Sequence, residues 1–238
     1  MDKIFNLDTP VWRFIGKLAD AVLLNILWVV FSIPIFTIGA STTALYYVSM
    51  KVVSDREGTS LFRDFWKSFK MNFGQSTLIW LICLFLGAFF AFDIWYYWGM
   101  DNQWASGIAM VFVVLTLLLI MVMHYIFAVQ AKFINPIRKT FLFSAVLPLR
   151  YIYFTIPMLL ITAAFVVGTY YWFPLILFGE GGIAFFHSFF LVKIFGKYVK
   201  EEEEEGEGDT ADSREQHIII DDLHQEHIVI GEKDNREF

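Results

Sequence analysis

Five residues in one apolar stretch have the types and spacing to do chemistry. Asn25, Ser32, Pro34, Thr37 and Gly39 interrupt the run Leu18–Met50. Pro34 removes a backbone donor and clashes with the preceding turn, and Gly39 loosens the chain further. A helix broken at Ser32-Ile33-Pro34 frees backbone carbonyls and amides, which transporters use to hold ions or solutes. The same break also serves as a plain turn. Asn25 reads either as part of such a site or as a hydrogen-bonding group between helices. His124 and His187 lie inside two other apolar runs, where a neutral ring bonds a neighbouring carbonyl or hydroxyl, or relays a proton. Neither has a metal-ligand partner at helical spacing in its own run, and no metal or cofactor is expected.

A second set is aromatic. Asp93 precedes Trp95, Tyr96 and Trp98, and Tyr170 and Trp172 end another apolar run. At one membrane surface these form either an interfacial belt or an aromatic platform with a carboxylate, suited to sugars. Glu180, in the turn Gly179-Glu180-Gly181-Gly182, is expected at the same level.

The elements that must position these groups follow from hydropathy. The 238 residues are 57% hydrophobic and 18% charged, against about 25% charged in soluble domains. A span needs about 20 apolar residues. Ser76–Trp98, Ser106–Val129, Ile152–Phe173 and the shorter Ile183–Val199 qualify. Backbone groups in lipid must bond within their own segment, so these spans are helices. The expected class is all-α: a polytopic helical membrane protein with interfacial amphipathic helices and a flexible acidic C-terminal tail.

Charge orients it. Residues 1–200 carry 15 Lys and Arg against 9 Asp and Glu, whereas residues 201–238 carry 3 against 15. The turns 99–105 and 174–182 hold no Lys or Arg. The positive-inside rule then favours a hairpin of two short helices over 18–50, with both termini cytoplasmic. The alternative is one kinked span and an outside N-terminus. Thr59–Gln75 sets Phe62, Phe65, Trp66, Phe69 and Phe73 on one face and Arg63, Lys67 and Lys70 on another, as in a helix lying at the headgroups. Asn135-Pro136 opens a similar basic segment, with Asn as cap and Pro as first helical residue. The chain divides into an interfacial segment at 1–17, the broken region at 18–50, two units of interfacial helix plus two spans at 54–130 and 131–200, and an acidic tail at 201–238. The tail reads as a solvated linker carrying two apolar pentads, at 217–221 and 227–231, suited to a protein partner.

The string from Pro10 to Phe73 contains Trp12-Arg13, Asn25, the Ser32-x-Pro34-x-x-Thr37-x-Gly39 run, Ala44 with Tyr46, and Phe65 through Phe69-Lys70 to Asn72-Phe73. It resembles the YesL-like family of bacterial integral membrane proteins. The resemblance covers roughly residues 5–198, and the acidic tail departs from it. That family has no established activity. The resemblance implies a multi-pass protein of the bacterial cell membrane, linked with ABC-type carbohydrate permease subunits. With no catalytic or nucleic-acid-binding motif visible, the leading expectation is a non-enzymatic accessory or regulator of carbohydrate uptake. The alternative is an autonomous small-solute transporter or permease. The lipid bilayer is a partner either way.

Overall fold

The computed structural model describes residues 10–54, 60–100 and 102–206. Residues 1–9 and the tail beyond 206, with its pentads at 217–231, lie outside the described residues. Seven α-helices follow one another among them: α1 Pro10–Phe31, α2 Ile38–Val53, α3 Leu61–Trp98, α4 Gln103–Lys132, α5 Ile137–Arg150, α6 Ile152–Tyr171 and α7 Gly179–Gly206. Short 3₁₀ turns at Ile35–Thr37 and Phe173–Leu177 lead into α2 and α7. Four helices are long and apolar enough to cross a membrane: Leu61–Trp98, Trp104–Lys132, Ile152–Tyr171 and Gly179–Val199. The chain is an all-helical membrane protein.

The region 18–50 is two helices separated by a tight break. Its exposed carbonyls are taken up locally. Thr37 Oγ1 lies 2.6 Å from both Phe31 O and Pro34 O, and Trp80 Nε1 donates to Ile35 O at 2.8 Å. No break separates the expected N-terminal segment from the first apolar helix, since α1 runs from Pro10 through Lys17 to Phe31.

Helix α2 has 16 residues, about 24 Å at 1.5 Å per residue, which is shorter than the roughly 30 Å of a bilayer's apolar core. Twelve of its residues are buried, so it is the helix around which the others pack. Its approach to α3 depends on small residues. A Cβ on Gly39 would sit 2.6 Å from Trp80 Cβ and collide with Ser76 O. One turn on, Thr43 Oγ1 donates to Ser76 Oγ at 2.9 Å. Small residues four apart are how membrane helices come close.

Further boundaries differ from the sequence expectation. The basic amphipathic segment and the apolar span after it form one helix, α3, of 38 residues. A change from amphipathic to apolar composition is not a stop signal, and Gly74 alone does not end a helix. Helix α5 starts at Ile137 with Pro136 in the cap position and no side-chain cap bond. Asn135 is instead tied to α3, its carbonyl accepting from Gln75 Nε2 at 2.6 Å. In addition, α7 continues to Gly206, through Glu201–Glu205 of the acidic run.

The basic segments collect at one end of the molecule. Lys51 pairs with Asp64 at 2.8 Å, joining the end of α2 to the start of α3. Gln130 Nε2 donates to Asn72 Oδ1 at 3.3 Å, which brings the end of α4 there. Phe133 packs on Phe195 and Tyr198, and Phe143 on Tyr198, adding α5 and the end of α7.

Candidate functional site

Six of the seven helices line one cavity of about 380 Å³. Helix α2 contributes Ile38, Thr42 and Tyr46, spaced four apart on one face, and α7 contributes Glu180, Ile183 and His187, at i, i+3 and i+7. Trp28 comes from α1, Trp80 from α3, Met123, His124 and Phe127 from α4, and Thr162 from α6. The break ends one residue before Ile38, the first cavity residue of α2. Trp80 lies near the middle of α3, His124 eight residues before the end of α4, and Glu180 is the second residue of α7.

A chain of hydrogen bonds crosses four helices beside it. Tyr46 Oη is 3.2 Å from His187 Nδ1, His187 Nε2 is 3.2 Å from Thr162 Oγ1, and Thr162 Oγ1 is 3.1 Å from His124 Nε2. Carbonyls fix the tautomers of neutral rings, because a carbonyl only accepts. Ile120 O lies 2.8 Å from His124 Nδ1, and Met158 O lies 3.0 Å from His187 Nε2. Each of those nitrogens therefore carries the hydrogen. Tyr46 then donates to His187 and His187 to Met158 and Thr162, while Thr162 has both His124 Nε2 and Met158 O at 3.1 Å as acceptors for its one hydrogen. All four groups are satisfied, and the two rings stand 5.7 Å apart, centroid to centroid. Among the described residues no group of three His, Cys, Asp or Glu is placed to hold a metal ion.

Of the residues singled out in the sequence, His124, His187 and Glu180 line this cavity. Asn25 does not. Its Nδ2 donates to Ile176 O and Leu177 O at 3.2 and 3.0 Å, and its Oδ1 accepts from Gly181 N at 3.1 Å. It fastens α1 to the start of α7, where Gly179 has a φ of +27° and a Cβ on Gly181 would strike Asn25. Ser32, Pro34 and Thr37 form the break beside the cavity without lining it, and Gly39 faces α3. Ser32 Oγ is buried with no partner among the described residues.

The outer aromatics fall in two places. Trp95, Tyr96 and Trp98 end α3, and Tyr170 and Trp172 end α6; all five are exposed. Tyr96 stacks on Phe92 and Tyr170 meets Tyr171 edge-on, and among the described residues no ring contact joins the two groups. Asp93 is half-buried, with Oδ2 unpartnered among the described residues. Glu180 is not part of that rim. Two turns of α7 separate it from His187 on the same face, so it faces the cavity. Tyr46, Thr162 and Trp28 carried no chemical signal in the sequence. The readable clue was the seven-residue spacing from Glu180 to His187.

Residues 21–94 match the model of a family described as a protein of unknown function, DUF624. The DUF624 stretch includes the break and the cavity residues Trp28, Ile38, Thr42, Tyr46 and Trp80, and stops short of His124, Thr162, Glu180 and His187. No curated protein and no solved structure matches the chain.

Proposed function

We propose that the chain is a non-enzymatic, YesL-like protein of the bacterial cytoplasmic membrane, both termini cytoplasmic, that binds and passes a small solute through the cavity between α2, α4 and α7. The cavity carries this reading. Its volume of about 380 Å³ falls in the range of roughly 300–1,000 Å³ typical of small-molecule sites, and apolar walls with a few convergent polar groups are their usual lining. It adjoins a broken segment, where transporters place their sites.

A second reading, an accessory or regulator of carbohydrate uptake that works with ABC-type permease subunits, is favoured by the resemblance of the Pro10–Phe73 string. Reconstitution separates the two. The purified protein in liposomes is tested for uptake of labelled sugars, polyols and amines. Saturable uptake by the protein alone supports the permease. No uptake, together with recovery of permease subunits from solubilised native membrane that weakens without residues 201–238, supports the accessory.

A further inference from the structure

Glu180 differs from every other polar group around the cavity. The others use their hydrogen bonds on one another or on backbone. Trp28 Nε1 donates to Thr42 Oγ1 at 3.0 Å and Trp80 Nε1 to Ile35 O at 2.8 Å, so neither indole keeps a donor for a solute. Tyr46, His187, Thr162 and His124 bond in sequence. Glu180 has no hydrogen bond and no ion pair with a described residue, and the lining contains no Lys or Arg. Its place in the first turn of α7 sets it at the positive end of a helix dipole, which offsets only part of the cost of a desolvated carboxylate. The rings of Trp28, Tyr46, Trp80 and Phe127 line the same cavity.

We propose that the cavity is a site for a small organic cation, a quaternary or protonated amine, held by the Glu180 carboxylate and these four rings. The proposal rests on the cavity being a solute site and names its substrate class. A carboxylate supplies the missing counter-charge, and aromatic faces attract a cation through their quadrupole. An anion meets Glu180 with no cation to receive it. A polyhydroxylated neutral solute needs several free donors and acceptors, and Glu180 supplies acceptors only.

The full chain in lipid nanodiscs is titrated calorimetrically with choline, tetramethylammonium, butylamine, dimethylbutanol (the neutral carbon isostere of choline) and glucose. Choline is expected to bind saturably and at least about tenfold more tightly than its isostere. Glu180→Gln is expected to lose that preference, and Glu180→Asp to keep part of it. Equal affinity for choline and the isostere overturns the cation assignment without any variant, and so does an unchanged choline affinity in a folded Glu180→Gln. Binding of glucose with none of the cations also overturns it and leaves the solute site standing. Binding of no compound overturns both.

Discussion

Thr162 Oγ1 sits between the Nε2 atoms of His124 and His187, at 3.1 and 3.2 Å. Replacing it with valine keeps the shape and removes a partner from each ring. Side-chain hydrogen bonds between membrane helices contribute about 0.6 kcal/mol on average and up to roughly 1.7, and a buried group left without its partner costs about 1–3 kcal/mol. Thr162→Val is therefore expected to destabilise the protein by about 1–3 kcal/mol, and Thr162→Ser by less. Reversible unfolding in detergent checks this, and equal stability of wild type and the valine variant sinks the chain of bonds. His124 was legible in the sequence as a polar group at depth. Its pairing was not, because the partners lie 38 residues away at Thr162 and, through it, a further 25 at His187. Helical spacing reads only neighbours three, four or seven residues apart.

At the scale of the helix, two glycines make opposite predictions. Gly39 lies where α2 touches α3, and an added Cβ meets Trp80 Cβ at 2.6 Å. Gly74 lies in the middle of α3, and nothing stands within 4 Å of its added Cβ. Gly39→Ala forces the pair apart, and overpacking of this kind costs about 1–3 kcal/mol. Because Ile38 and Trp80 both line the cavity, the same change is expected to weaken solute binding there. Gly74→Ala removes backbone freedom from the unfolded chain at no steric cost, and is expected to stabilise by about 0.5–1 kcal/mol. Melting the two variants side by side tests the packing, and a shift of the same sign in both counts against the close approach of α2. The break at Ser32–Pro34 was readable from composition. The central place of α2 was not, since a short helix buried on all sides and half of a membrane hairpin share one apolar pattern. The length of α3 was hidden for a related reason: hydropathy marked where its character changes at Ser76, and no proline or cap marked an end.

For the molecule as a whole, the gathering of charge makes a prediction about orientation. Lys51, Arg63, Lys67, Lys70, Lys132, Arg138, Lys139, Arg150, Lys193 and Lys197 belong to segments that the packing of α2–α7 brings to one end, and the turns at 99–102 and 172–178 carry no Lys or Arg. The sequence supplied the alternation of basic and cation-free connections. The structure adds that the basic ones meet, through Lys51–Asp64, Gln130–Asn72 and the rings of Phe133, Phe143, Phe195 and Tyr198. Lys and Arg tend to stay on the cytoplasmic side, so the prediction is that this end faces the cytoplasm and the turn after α3 faces outward. The single cysteine, Cys83, is buried, so unmodified protein gives little background to a thiol reagent. Ser60 and Met100 are exposed at opposite ends of α3. In intact cells a membrane-impermeant maleimide is expected to label Met100→Cys and to leave Ser60→Cys untouched until the membrane is permeabilised. The reverse pattern would put the basic end outside and overturn this orientation.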